Sequence, residues 1–237
     1  MNIAIFSDLH GRALLAFMLC AQWQRETGER LTAILQAGDL AAFPDLARAD
    51  RATLRHAARD PDELGFRRDF TEPRADVERI LSETDCPMIF VRGNHEDHAW
   101  LDELEREARG PTFAIDPYQR IYCLRTGMPY AISDNAGESA TVLGIGRIAA
   151  PPGARNPDAA RYATPRELAR LAALSQAKVD ILLTHDTPPT NLNRRSLGMV
   201  EIRQALDTYR PVYHFYGHTD EPYRRELDAN GVTTAIR

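Results

Sequence analysis

The sequence predicts an α/β fold in which helices cover a pair of sheets. Three observations carry that expectation. The chain opens as strand–helix–strand, the unit that builds a parallel sheet. Further short apolar runs lie at 87–92, 179–184 and 211–216, and the stretches near 73–84, 97–109 and after Thr164 read as helix. The middle, from about 112 to 148, breaks into short extended runs punctuated by Gly, Pro, Asn and Asp, which predicts antiparallel strands.

Taken in order, residues 2–7 (NIAIFS) are a short buried strand. The next stretch carries Leu14, Leu15, Met18, Leu19 and Trp23 at helical spacing, the predicted buried face of a helix that Gly28 ends. Residues 31–37 (LTAILQA) are a second strand. Residues 40–72 are predicted as a helix-containing insert within a single 1–237 domain, because a bare loop of that length is uncommon in a compact domain. A helix near 73–84 leads to the strand 87–92 (PMIFVR), and 97–109 reads as helix. The clearest extended run of the middle is 140–146 (ATVLGIG). After a Pro- and Gly-rich loop at 151–163, Thr164, Pro165 and Glu167 spell a capping box at a helix start. Residues 222–236 read as a closing hairpin.

Composition narrows the class. A 237-residue chain that is 43% hydrophobic can form a sizeable core. With 29 basic and 34 acidic residues the net charge is −5, which argues against non-specific nucleic-acid binding by bulk charge. Lys178 is the only lysine; Arg suits phosphate recognition, although compositional bias accounts for most of the arginines. Cys20, Cys86 and Cys123 are odd in number and form no CxxC pair, so neither a zinc knot nor a disulfide framework is indicated, and a reduced, cytoplasmic setting is expected. The N-terminus lacks the basic start and longer apolar run of a signal peptide, and no membrane partner is expected.

Five polar segments follow predicted strands: Asp8-Leu9-His10, Gly38-Asp39, Gly93-Asn94-His95-Glu96, His185-Asp186 and Gly217-His218-Thr219-Asp220. In a parallel sheet such ends converge on one edge. Asp8 and His10 are two apart, so on extended backbone they face the same side. Asp39 adds a carboxylate able to use both oxygens, Asn94 an amide oxygen, and His185 and His218 imidazoles. This set suits borderline divalent metals, Mn first with Fe or Zn as alternatives, better than Mg or Ca. The glycines before Asp39, Asn94 and His218 suit sharp turns close to ligands. Two metals about 3.5–4 Å apart clamp a phosphate and activate a bridging water. His95, beside a ligand, is the candidate for protonating the leaving alkoxide.

These segments resemble the metallophosphoesterase superfamily, the calcineurin-like phosphoesterases, whose pattern is DxH, GD, GNH followed by Asp or Glu, a lone His, then GHxH. The resemblance runs from residue 8 to 220. It implies a four-layer α/β/β/α sandwich of two mixed sheets flanked by helices. It implies that Asp8, His10 and Asp39 hold a first metal, that Asp39, Asn94, His185 and His218 hold a second, and that His95 is catalytic. The chain departs at Asp220, which stands where the family has the second histidine of GHxH; a carboxylate there would favour a harder metal such as Mn²⁺. The stretch after Asp39 and the segment Thr184–Pro188 also look somewhat like RNA lariat debranching enzymes, but those carry a cysteine where this chain has Asp8. The GDxxxRG stretch of the Ser/Thr phosphatases is missing, since 38–43 reads GDLAAF.

The expected substrate is a phosphate ester, with a nucleotide or nucleic acid among the candidates and a phosphodiester favoured over a monoester. The competing class is a non-catalytic scaffold of the same fold, disfavoured because Asn94 and His95 are both present. Among other residues, Glu96 and Asp186 either orient a ring N–H or cap a helix. Arg12 either meets a substrate phosphate or is solvated. His56 and His98 read as solvated and His214 as strand packing. Trp23 and Trp100 read as packing, and Arg194 and Arg195 as a solvated loop.

Overall fold

The computed structural model describes residues 1–156, 159–175, 177–192, 195–219 and 222–237. Asp220 and Arg194 therefore lie outside the described residues. Within them, two mixed sheets stack between helices. The first sheet contains β1 (Ile3–Phe6), β2 (Ala33–Gln36), β3 (Met88–Phe90), β4 (Thr112–Ala114) and β5 (Ile121–Leu124), in the order β1-β2-β3-β5-β4. The second contains β6 (Tyr130–Ser133), β7 (Ser139–Ile145), β8 (Ile181–Thr184), β11 (Tyr213–Phe215), β12 (Arg225–Leu227) and β13 (Thr234–Ile236), in the order β12-β13-β11-β8-β7-β6. A small antiparallel hairpin, β9 (Thr190–Leu192) with β10 (Arg195–Leu197), stands apart from both.

Strand alternation produces the layers. Along β3, Met88 and Phe90 enter the core beneath the outer helices while Ile89 faces the second sheet. Along β8, Ile181 and Leu183 face the first sheet while Leu182 faces the helices on the far side. Three separate apolar cores follow, one between the sheets and one outside each, which is what a four-layer sandwich requires. The first outer layer comprises α1 (Ala13–Thr27), α2 (Arg51–Ala57), α3 (Gly65–Phe70), α4 (Ala75–Leu81) and α5 (His98–Glu107). The other comprises α6 (Pro165–Ala173) and α7 (Val200–Tyr209). The capping box of α6 forms as its sequence indicates, with Thr164 and Glu167 each satisfying the other's backbone N–H.

Two expectations need correction and a third is refined. The inward face of α1 is Ala13, Ala16, Phe17, Cys20, Ala21 and Gln24, whereas Leu15, Met18 and Leu19 point outward. Both stripes are apolar, and the smaller one lets the helix sit closer to the sheet. The 112–148 region forms the antiparallel pairs expected, but they fall in two different sheets. β4 pairs with β5 in the first sheet and β6 with β7 in the second, while β5 and β7 each also pair in parallel with a strand on their other side. His98 is buried rather than solvated; burial, with Arg147 and Arg92 nearby, holds its pKa well below 6.5. His214 is strand packing as expected, its Nε2 2.9 Å from Thr184 Oγ1.

An ion-pair network clips the layers together beside the strand ends. Arg92, after β3, reaches Glu105 Oε2 on α5 at 2.7 Å and also Asp102. Arg147, after β7, reaches Asp102 at 2.6 Å and Glu167 of α6 at 3.1 Å. Arg170 of α6 closes the loop on Glu105 at 2.8 Å.

Candidate metal centre

The five polar segments, Asp220 excepted, sit at the carboxyl ends of parallel strands: three follow β1, β2 and β3, and two follow β8 and β11. The two sheets meet there. Within each sheet the ends are tied, Gly217 N–H donating to the His185 carbonyl at 3.3 Å and Asp8 N–H to the Gly38 carbonyl at 3.1 Å. The His185 ring bridges the sheets, with Nδ1 2.9 Å from the Ala37 carbonyl. That carbonyl can only accept, so Nδ1 keeps a proton and Nε2 is the ring atom that would bind a cation.

Two potential ligand groups result. Asp8, His10 and Asp39 present atoms all within 4.8 Å of one another, and so do Asp39, His185 and His218. Asp39 belongs to both. Asn94 joins the second group through its Oδ1, 3.0 Å from His185 Nε2. Asp8 and His10 do not converge as alternate residues of a strand: both have left-handed backbone, with φ of 51° and 44°. Asp39 and His218 are left-handed too, at 55° and 62°. Four non-glycine residues in that sparsely populated region mark a strained edge, the kind found where ligands must be aimed.

Two glycines make the ligand positions possible by close approach. A Cβ at Gly93 would lie 2.0 Å from Asp39 Oδ1, and one at Gly217 would lie 1.9 Å from Ser7 Oγ and 2.4 Å from Asp8 Oδ2. Neither has positive φ, so at these two the close approach to ligands expected from sequence holds without a left-handed turn, whereas Gly38, before Asp39, has a φ of 89°. Gln36, buried in β2, braces the Asp39 turn by accepting from Gly38 N–H at 2.9 Å and donating to its carbonyl at 2.6 Å.

The local field favours a cation. Burial alone would lower the His185 pKa, yet Asp39 and Asp8 raise it to about 9. Burial would raise that of Asp39, yet His185 and His95 hold it well below the usual carboxylate range. Glu96 is pushed up to about 7 by burial and by Asp39. Donor chemistry, a shared carboxylate, side-chain-free space at Gly93 and Gly217, and this field all fit a pair of divalent cations.

His95 lies over the first group, its ring 5.7 Å from that of His10. Its backbone N–H donates to Asp39 Oδ1 at 2.8 Å, and its ring Nδ1 meets Asp50 Oδ2 at 2.9 Å. Asp50 is the N-cap of α2, fixed by Ala52 N–H, Thr53 N–H and Thr53 Oγ1 at 2.8, 3.0 and 2.9 Å. Burial pulls the His95 pKa down, but Asp50 and Asp39 more than offset it. The 40–72 stretch also brings Glu63 Oε2 to 3.7 Å from His10 Nδ1. Neither carboxylate was singled out from sequence. Asp50 carried only a helix-start signal, and Gln36 only the oddity of a polar residue in an apolar run.

Glu96 neither orients a ring nor caps α5. It accepts from Leu40 and Ala42 N–H at 2.9 and 2.8 Å, tying the two loops together, and Asp97 caps the helix. Asp186 accepts from Ala149 and Thr187 N–H, both at 2.8 Å. The Arg12 fork is engaged by Asp60 at 2.5 Å and by the carbonyls of His10 and Leu9 at 3.2 and 3.5 Å.

Comparison with known proteins agrees with this geometry. The solved structure of TT1561 from Thermus thermophilus is 20% identical, with a TM-score of 0.54, over 99% of this chain and 87% of that one. A second solved structure is 14% identical at the same TM-score, over 99% and 89%. At these identities the likeness is one of fold. A search of curated proteins gives no match. The family model for calcineurin-like phosphoesterases matches residues 1–222, nearly the whole length, and the chain belongs to that family of metal-dependent phosphoester hydrolases.

Proposed function

We propose that this protein is a phosphodiesterase working with two divalent transition-metal ions, Mn²⁺ foremost. The observation that carries the reading is the sharing of Asp39 between two ligand groups. Asp8, His10 and Asp39 would hold one ion, with Asp220 as a further ligand. Asp39, Asn94, His185 and His218 would hold the other. Two such ions, when bound, supply the charge that grips a phosphate and lowers the pKa of water. His95, aimed by Asp50, protonates the leaving alkoxide from Nε2 while Nδ1 stays on the carboxylate.

A diester is favoured on charge. Asp50, Asp60 and Glu63 gather beside the Asp8–His10 turn, and the Arg12 fork is already shared among Asp60, Glu63 and backbone carbonyls. That surrounding suits a monoanionic diester better than a dianionic monoester. Buried free Cys20, Cys86 and Cys123 support a reduced, cytoplasmic setting.

Hydrolysis of bis-p-nitrophenyl phosphate beside p-nitrophenyl phosphate, with Mn²⁺ added to metal-stripped protein, tests the proposal. The expected result is metal-dependent turnover favouring the diester and lost in Asn94→Ala. Preference for the monoester would overturn the substrate assignment, and full activity in Asn94→Ala would overturn the site.

A further inference from the structure

Helix α1 has two apolar faces, and the sheet covers only one of them. From residue 13 to 24 (ALLAFMLCAQWQ) it contains no charged residue, although half of it faces out. Leu15, Met18 and Leu19, spaced as a ridge, are 46, 47 and 46% exposed. Beside the ridge lies a groove of about 540 Å³ whose walls include Ile3, Ala4 and Phe6 of β1 and Leu19 and Trp23 of α1.

The groove follows an open sheet edge. Among the described residues β1 pairs only with β2. Asn2, Phe6 and Asp8 spend backbone groups on the β2 side, so by alternation the N–H and C=O of Ile3 and Ile5 face outward. The edge has none of the usual protection: IAIF contains no lysine, no proline and no inward charge.

Charge identifies the occupant. The groove's lining carries no charged side chain, and the N-terminal ammonium of Met1 at its end is paired with Glu138. An anionic membrane or a charged peptide would find no charged side chain to pair with in this lining. What fits is a neutral apolar surface offering both a ridge and a free strand edge, which this face itself supplies. We propose that it joins two copies of the chain about a two-fold axis. β1 pairs antiparallel with β1 of the second copy to make one ten-stranded sheet. Such an axis keeps both α1 helices on the same side of the joined sheet, where their outward leucines and methionines meet.

Sedimentation velocity of the full chain from low to high micromolar concentration, with amide exchange on the same samples, tests this. The wild type is expected to be a dimer with slowly exchanging Ile3 and Ile5 amides. Leu19→Lys and, separately, Leu15→Glu are expected to sediment as folded monomers in which those amides exchange freely. Two exposed positions are used so that misfolding of one variant does not decide the matter. A wild type that stays monomeric, a dimer that both variants leave intact, or free exchange of Ile3 and Ile5 within the dimer would each overturn the proposal.

Discussion

Replacing Asp50 by Asn isolates the work of the His95–Asp50 pair. Asn keeps the oxygen that caps α2 on Ala52 and Thr53, so the helix start survives. It removes the charge that meets His95 Nδ1 at 2.9 Å. A hydrogen bond to a charged group contributes about 1.5–3 kcal/mol. The Asp50 side chain is 35% exposed, so screening places this pair at the lower end. A loss of about 1.4 kcal/mol is about tenfold in rate. The reasoning ties the loss to proton delivery, so it must depend on the leaving group. A diester with an alkyl leaving group should lose about tenfold in kcat. The p-nitrophenyl diester, whose leaving group departs unprotonated, should lose much less. KM and bound metal should not change. An equal fall for both substrates, or a fall that accompanies loss of metal, would refute the role assigned to Asp50.

Other consequences can be checked on purified protein. Gly93→Ala drives a Cβ into Asp39 Oδ1, so calorimetric titration with Mn²⁺ should show weakened binding at both sites, whereas Gly217→Ala, which presses on Asp8, should weaken one. Glu105→Gln takes the charge from a buried carboxylate that meets Arg92, Arg125 and Arg170, and denaturant unfolding should show a loss of about 3 kcal/mol. His214 is held by burial at about 3, below its ordinary 6.5, so between those pH values the unfolded chain binds a proton the folded one refuses. Stability drawn from this group is therefore complete above pH 6.5 and falls as pH drops, by about 2 kcal/mol from pH 7 to 5 at 1.36 kcal/mol per unit. The urea midpoint of His214→Asn should accordingly fall less than that of the wild type over the same interval.

Much of the site was legible because its ligands follow short apolar runs, and a parallel sheet must bring such ends together. Asp39, His185 and Asn94 meet for that reason. The four layers were legible only through the family resemblance, because β2, β3 and β8 are apolar on both faces and their alternation shows only in which core each residue joins. Legibility failed where two answers satisfy one pattern. Helix α1 is apolar on both faces, and periodicity alone does not say which stripe the sheet takes. The 112–148 strands look alike in sequence, yet β5 and β6 fall in different sheets because the turn between them crosses from one layer to the other. α7 went unnoticed, although its buried Ile202, Ala205 and Leu206 have helical spacing. Asp50 was invisible as a site residue because its contact with His95 spans 45 positions and leaves no local pattern.

The central claim is that one carboxylate, Asp39, serves two ions. Electron paramagnetic resonance of the Mn²⁺-loaded protein, with metal content measured on the same sample, tests it most directly. The account predicts two ions per chain with the spectrum of a magnetically coupled pair, and loss of that coupling in Asp39→Asn. A single ion per chain, or two ions giving uncoupled Mn²⁺ signals in the wild type, would contradict it.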